Sequence, residues 1–353
     1  MKKVKLGDVA TYINGYAFKP TDWSNEGILI IRIQDLTGNS YQENRYNGSL
    51  PKKYEVHKGD VLISWSASLG VYVWEKDPAV LNQHIFKVVF DKENIDKSFF
   101  VHQVKHILEL ASAEAHGATM KHLTKPVFDA LPFYLPSIEE QKEIADRLDK
   151  VVGLIEKRKE QLAKLDQLVK SRFIEMFDGK YETKSLEAVC EELFAGGDVK
   201  KDKSSNEQSD KYPYPIYTNG EKENGLYGYT SLVRVKKEAV TISGRGTIGF
   251  TCLRTEPFYP AVRLIVAVPN QKIISGCYLQ YFIQSKNYGG QGASIPQLTV
   301  PMIKNEQIPV PPIALQNEFA EFVKRTDKSK FEIQQSIDKL ETLKKSLMQQ
   351  YFG

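Results

Sequence analysis

Cysteine is scarce in this sequence: Cys190, Cys252 and Cys277 are the only three in 353 residues, with no Cys-x-x-Cys pair. That excludes a disulfide framework and a thiolate zinc site, and it fits buried free thiols in a reducing cytoplasm. Long apolar runs are missing as well. No stretch approaches the roughly 18 consecutive apolar residues that a membrane span needs. The N-terminal stretch carries lysines but no apolar segment, so it does not read as a signal peptide. Charge of one sign is also lacking. The formal net charge is +4, spread along the chain, which permits a polyanionic partner without demanding one. The length allows two or three domains, and 41% hydrophobic with 26% charged residues is ordinary for a globular protein.

Motifs for chemistry are equally sparse. There is no Walker lysine loop and no Asn-Pro-Pro-aromatic tetrapeptide of the kind amino-methyltransferases use. Gly244-Arg245-Gly246-Thr247-Ile248-Gly249 fits G-x-G-x-x-G, but the β-type residues Phe250-Thr251-Cys252-Leu253 follow it. A dinucleotide fingerprint needs a helix N-terminus there to meet the pyrophosphate, so this is a tight turn between strands. Phe194-Ala195-Gly196-Gly197-Asp198 lacks the strand–loop–helix setting of a methyl-donor loop and also reads as a turn. His84, His102, His106, His116 and His122 have no metal-ligand spacing with carboxylates. No catalytic centre, cofactor site or metal site is expected.

What the sequence does contain is a duplication. Gly117-Ala118-Thr119-Met120 matches Gly292-Ala293-Ser294-Ile295, an offset of 175 residues. With that offset held, Leu123-Thr124 falls on Leu298-Thr299, Pro126 on Pro301, Gln141 on Gln316, Lys170-Ser171 on Lys345-Ser346 and Phe177 on Phe352. A shared helical period would align some leucines, but not the Gly-Ala, Leu-Thr and Pro together. Upstream the match is looser. Lys58–Ser64 resembles Lys237–Ser243, and Lys5–Val9 resembles Lys184–Val189. The scaffold is repeated and the loops on it have diverged.

The ungapped part carries apolar residues at steps of three and four. The first copy reads Ile144, Leu148, Val151, Ile155, Leu162 and Leu165; the second reads Phe319, Val323, Ile333, Ile337, Leu340 and Leu347. This is a heptad seam, interrupted by Arg158, Thr326 and Lys330. Each helix should run ~38 residues, or ~57 Å. The short linker Asp178-Gly179-Lys180 and the lack of a long return segment favour antiparallel packing, with a pseudo-twofold repeat.

The segments before the helices show short β-rich runs. They are Ile28–Ile33, Val61–Trp65, Gly70–Trp74 and Ile85–Phe90 in the first copy. Val233–Val235, Ala239–Ile242, Gly249–Leu253 and Val262–Val268 belong to the second. Helices are expected over Phe99–Ala113 and Gly276–Ser285. The expected fold is α+β: two globular domains with curved β-sheets, separated by two long helices in an antiparallel coiled coil. The domains are residues 1–136 and 179–311, and the helices 137–178 and 312–353.

Together these residues resemble the specificity subunit of type I restriction–modification systems. The resemblance covers essentially the whole chain. Its strongest marks are the Gly-Ala-Thr/Ser, Leu-Thr and Pro segment, Leu135-Pro136-Ser137-Ile138-Glu139-Glu140-Gln141, its counterpart Val310–Gln316, and the helix after each. Gly59–Ser64 and Leu81–Ile85 are similar to that family's target-recognition domains. The second copy departs in one place, where Leu315 replaces Glu140.

The resemblance implies a non-catalytic, cytoplasmic subunit whose two globular domains each read one half of a split site on double-stranded DNA. The helices would set the spacing and dock two methyltransferase subunits. It leaves room for restriction subunits, the ATP-driven translocase and nuclease, and implies no membrane. Candidate base readers in the first domain are Trp65, Ser66, Ser68, Asn82, Gln83 and His84. In the second they are Tyr217, Thr218, Asn219, Tyr227, Tyr229 and Arg245, with Arg245 foremost because its flanking glycines allow close approach. Lys121, His122, Lys125 and Lys222 are candidate phosphate contacts. Each of these also has a plain reading as a loop or structural residue, and Asn82-Gln83-His84 is equally open to a scaffold role. The same duplicated chain also fits an interaction scaffold with no DNA role.

Overall fold

The structure, a computed structural model, describes residues 2–66, 68–114, 124–286, 288 and 297–353. The chain divides into two units, Met1–Lys159 with Gln335–Gly353, and Glu160–Gln334. Unit 1 begins with β1 (Lys2–Lys5), β2 (Thr11–Asn14), β3 (Ile28–Ile31), the short helix α1 (Ile33–Thr37), β4 (Arg45–Tyr46) and β5 (Glu55–Val56). β6 (Val61–Ser64), β7 (Gly70–Val73), β8 (Ala79–Leu81) and β9 (Ile85–Val89) follow. α2 (Lys97–Glu114), α3 (Lys125–Asp129) and β10 (Pro132–Leu135) lead to the long helix α4 (Ile138–Phe177).

Two four-stranded sheets form the body of unit 1, in the orders β2-β9-β6-β7 and β4-β3-β8-β5. β3 and β8 pair in parallel, Leu29 with Ala79 through Ile31 with Leu81. The two-residue period of a strand explains why β6 is buried throughout. Val61 and Ile63 face a core with Phe99, Phe100 and Val104 of α2, whereas Leu62 packs with Ile31, Val56 and Leu81 of the second sheet.

Unit 2 repeats the plan. It contains β11 (Thr183–Ser185), α5 (Leu186–Val189), β12 (Cys190–Ala195), β13 (Ser204–Ser205), β14 (Tyr214–Tyr217) and β15 (Leu226–Thr230). Then come β16 (Ala239–Ile242), β17 (Thr251–Arg254), β18 (Tyr259–Pro260), β19 (Ile265–Pro269), α6 (Gly276–Ser285), α7 (Val300–Ile303), β20 (Gln307–Pro309) and the second long helix α8 (Ile313–Phe352). Its first sheet, β12-β19-β16-β17, has the same order as in unit 1, and β14 and β18 pair in parallel as β3 and β8 do. Expected strands shorten where turns compete. Val233–Val235 is no strand but a loop with one bridge, Val235 to Phe258, taking the place that β5 fills in unit 1. Val262–Leu264 is a turn with Arg263 at φ 66°, so β19 starts only at Ile265. Ile33 leaves the strand run and opens α1.

The looser sequence match also has a physical basis. Leu6 and Val9 are fully buried in the unit 1 core, and Leu186 and Val189 occupy the same places in unit 2. The Leu6 N–H donates to the Leu131 carbonyl at 2.8 Å, and the Leu186 N–H to the Glu306 carbonyl at 2.9 Å.

Both long helices run 40 residues. The division between the units falls inside each, so every unit holds one segment of α4 and one of α8. In unit 1, Arg147 donates to the Tyr351 hydroxyl at 3.1 Å and Lys159 pairs with Glu341 at 3.6 Å. In unit 2, Lys330 pairs with Asp166 at 2.6 Å and Arg172 with Glu318 at 3.6 Å. One residue number rises as the other falls, so the pairing is antiparallel within each unit. Ile144, Leu148, Val151, Ile155, Phe319, Val323 and Ile337 of the seam are buried, and Leu162, Leu165, Ile333, Leu340 and Leu347 are half-buried. Thr326 satisfies its hydroxyl on the Phe322 carbonyl of its own helix at 2.9 Å.

The helix starts are fixed by a glutamine in each unit. Gln141 Oε1 accepts from the Asp96 N–H at 2.9 Å, and its Nε2 donates to the Pro136 carbonyl at 3.1 Å. Gln316 Oε1 accepts from the Ser275 N–H at 2.8 Å, and its Nε2 donates to Pro311 and Ile273 at 2.8 and 3.1 Å. Both side chains are buried. The non-repeated Glu140 acts separately. It accepts from the Ser137 N–H at 3.0 Å, closing a capping box that α8, opening on prolines, lacks. Gln316→Ala should therefore lower the stability of unit 2 by about 2–4 kcal/mol, because it leaves buried backbone groups unpaired. Glu140→Ala should cost about 1 kcal/mol. Urea unfolding of both variants checks the order.

Candidate nucleic-acid interface

Three loops of unit 2 are tied together by one side chain. Asn219 Oδ1 accepts from the Gly244 N–H at 2.7 Å, and its Nδ2 donates to the Val262 carbonyl at 3.1 Å. Asn219 thus links the β14–β15, β16–β17 and β18–β19 loops. The Gly220 N–H adds a bond to the buried Ser243 hydroxyl at 3.1 Å. Gly244 can be nothing larger here, since a Cβ would lie 2.7 Å from the Leu298 carbonyl oxygen. The next residue, Arg245, is exposed, and Gln297 Oε1 accepts from its Nε and Nη2 at 3.2 and 2.9 Å. That contact leaves the guanidinium oriented and within reach of solvent.

Behind these loops lies a buried cation. Arg254 is 5% exposed, donates from Nε to the Thr241 hydroxyl at 3.2 Å, and also donates to the Asn224 carbonyl. Its guanidinium sits 3.6 Å from the centre of the Tyr217 ring. The Tyr217 hydroxyl in turn donates to Glu256 at 2.6 Å. Burial, and then that hydrogen bond, push the Tyr217 hydroxyl up to about 12, so it stays a neutral donor.

Unit 1 builds the corresponding place from aromatic rings. Trp65 Nε1 donates to Asn14 Oδ1 at 3.3 Å, and its ring stacks on Phe86 at 5.8 Å and approaches His84 at 5.5 Å. Asn82 Oδ1 accepts from the Gln83 N–H at 2.6 Å. Beyond it runs a chain of edge-on rings, Tyr54, Tyr16, Phe18 and Tyr46, with Lys53 over Tyr54.

The expected readers therefore fall into groups. Ser68, His84, Tyr227 and Arg245 are exposed, and Trp65, Asn82, Gln83, Tyr217, Thr218, Asn219 and Tyr229 are half-buried. Ser66 is buried, which leaves Ser68 as the accessible hydroxyl of that loop. Lys222 is exposed, while Lys125 pairs with Asp129 at 2.7 Å. Lys121 and His122 lie outside the described residues. Sequence reasoning missed Asn14, Gln297 and Arg254, each of which acts on a partner distant in the chain. It also passes over Gly15 and assigns its counterpart Gly196 only to a turn, although each stands at the end of a strand in its copy. A Cβ on either would lie 2.1 Å from a carbonyl oxygen, that of Asn82 or Ala261, so each glycine lets the chain cross the β8–β9 or β18–β19 turn.

The three cysteines are free, and burial pushes the Cys190 thiol up to about 12. Among the described residues no group of His, Cys, Asp or Glu is placed to hold a metal ion, and no helix is long and apolar enough to cross a membrane.

The profile of the type I restriction modification DNA specificity domain matches residues 1–167 and again 179–344. The chain belongs to that family, and carries its domain twice. It is 30% identical over 171 residues to the type I restriction enzyme EcoBI specificity subunit of Escherichia coli, covering 48% of this chain and 36% of that protein. It is 24% identical over 200 residues to the MjaVIII specificity subunit of Methanocaldococcus jannaschii, covering 52% of this chain and 47% of that one. The matched stretches thus span less than half the length of these relatives. Two solved structures share the fold. An S subunit from M. genitalium superposes with a TM-score of 0.55 at 17% identity, covering 98% of this chain and 94% of that one. A chain from a structure of assembly and conformational transition in the type I R-M system gives 0.61 at 16%, covering 99% and 97%.

The crowded glycine makes a sharp test. Gly196→Ala should destabilise unit 2 by about 1–3 kcal/mol through overpacking against backbone. The adjacent Gly197→Ala, whose Cβ would meet only the Tyr259 hydroxyl at 3.7 Å, should stay within about 0.5 kcal/mol. Denaturant midpoints of the two variants provide the comparison.

Proposed function

We propose that this chain is the non-catalytic, DNA-reading subunit of a cytoplasmic type I restriction–modification complex. Each unit reads one half of a two-part site on double-stranded DNA. The observation that carries this reading is the pattern of divergence. Within each unit the first sheet, the helix start and the buried glutamine repeat, whereas the residues at the converging loops do not. A shared scaffold with two different loop surfaces suits two different half-sites. In unit 2, Arg245 has the fork that matches guanine edges, and Tyr227 and Lys222 add exposed aromatic and basic character. In unit 1, Trp65, Gln83 and His84 fill that role, with Lys125 at its margin.

The domains meant here are residues 1–136 and 179–311, with the helices 137–178 and 312–353 as spacer and docking surface. Two methyltransferase subunits would bind the helices, and restriction subunits would join through them. Matching exposure supports two equal docking places. Leu168 and Leu343 share a repeat position and are 49% and 46% exposed. Lys170 with Phe173 lines a groove of 400 Å³ against α6 in unit 2. The repeat-equivalent Lys345 with Met348 lines one of 630 Å³ against α2 in unit 1. A 40-residue helix is ~60 Å long, enough to act as a ruler between half-sites about one DNA turn apart.

Arg245→Ala should relax or abolish recognition of one half-site, with discrimination falling by about 1–3 kcal/mol at the base it reads, and leave the other half-site intact. Methylation-sensitive sequencing of DNA exposed to the complex reads this out, and equal loss at both halves would contradict the assignment. Inserting one heptad into each helix in register should lengthen the gap between half-sites and keep their sequences. An unchanged gap would remove the ruler. Tight, salt-sensitive DNA binding in the presence of methyltransferase subunits separates the proposal from a scaffold with no DNA role.

A further inference from the structure

Unit 2 holds a conformation that its own sequence disfavours. Glu223 and Asn224 both take left-handed backbone angles, φ 50° and 53°, and Gly225 follows at φ 79°. Asn tolerates the left-handed region, but Glu223 is strained there, and such a residue persists only where surrounding structure over-determines it. Two side chains supply that constraint. Arg254 donates to the Asn224 carbonyl within the left-handed pair. Asn219, at the other end of the same loop, is bound to the backbone of Gly244 and Val262. The loop closes on itself where the Thr218 N–H donates to the Gly225 carbonyl at 2.8 Å. Both side chains are half-buried or buried; the Asn219 amide is bound to backbone at both ends, and Arg254 is held by the Asn224 carbonyl, the Thr241 hydroxyl and the Tyr217 ring.

We propose that Asn219 and Arg254 are positioning residues that hold the 218–225 loop and the Arg245 turn as one preformed surface, and that Asn219 does not itself read a base. The inference rests on the proposed function for what that surface is used for, but its geometry does not. Because Asn219 links three loops, its loss acts on all of them. A base-reading residue acts on one base pair. Unit 1 holds the corresponding segment differently, with Arg32 donating to the Gln42 carbonyl at 2.9 Å. Where unit 2 has its left-handed loop, unit 1 places α1, with Asp35 accepting from the Arg32 N–H at 2.8 Å.

The test uses the full chain, first without DNA and then assembled with its methyltransferase subunits. Asn219→Ala and Arg254→Lys are compared with wild type by hydrogen exchange and by sequencing of methylated sites, and thermal melting screens for global unfolding. In the free chain, the amides of segment 218–225 and of Gly244 should exchange at least tenfold faster in Asn219→Ala, with α2 and α6 unchanged. Arg254→Lys should speed segment 218–225 alone. In the complex, Asn219→Ala should loosen every position of the unit 2 half-site and none of the other. Unchanged exchange, or relaxation confined to one base position, would overturn the inference. A wild-type complex that methylates no two-part site would overturn the proposed function instead, while faster exchange in the free variant would still support the positioning role.

Discussion

Two buried amides, Gln141 and Gln316, fix the point at which each long helix leaves its domain, and the rest of the architecture follows from that direction. Each side chain bonds the backbone before its helix and the backbone at the N-terminal end of the domain's own packing helix. A rigid start lets the helix side chains meet the core in one register. Within unit 1 this brings Ile144 and Leu148 of α4 onto Phe99 and Phe133 together with Phe352 of α8, whose ring lies 5.6 Å from that of Phe99. Within unit 2 the repeat-equivalent Phe177 reaches Tyr278 at 4.6 Å. The helices are parts of the cores and cannot be treated as detachable spacers.

This explains which residues repeat without gaps. Gln141 and Gln316, and Phe177 and Phe352, are core contacts at matching positions, and the Leu-x-x-Val pairs of the looser upstream match are core contacts as well. The period was therefore legible from sequence, as were the two helices and the strand pairs β6 and β16, because burial imposes a fixed spacing. The role of the glutamines was not legible. A polar residue within an apolar seam looks like any other polar residue until its backbone partners are known.

The reading surface was less legible for a related reason. Loops are set by contacts distant in the chain, and none of those is periodic. Arg245 stood out through its flanking glycines, but its partner Gln297 lies 52 residues away. Asn219 had the composition of a base reader and turned out to bond backbone with both ends of its amide. Ser66 had the right loop but faces burial. Arg254 stands at the end of β17 and carries no sequence signal; only the Tyr217 ring above it and the Asn224 carbonyl beside it reveal a buried cation.

The division of the chain bears on the order of assembly. Unit 2 is one continuous stretch, Glu160–Gln334, whereas unit 1 draws its last piece, Gln335–Gly353, from beyond it. During synthesis the second unit can close on itself as soon as its own segment has emerged. The first lacks the ring of Phe352 against Phe99 until α8 arrives, a long loop closure that slows folding and leaves apolar surface open meanwhile. The half made first is thus the half finished last, and a ribosome-bound intermediate would expose the face of α2 that α8 later covers.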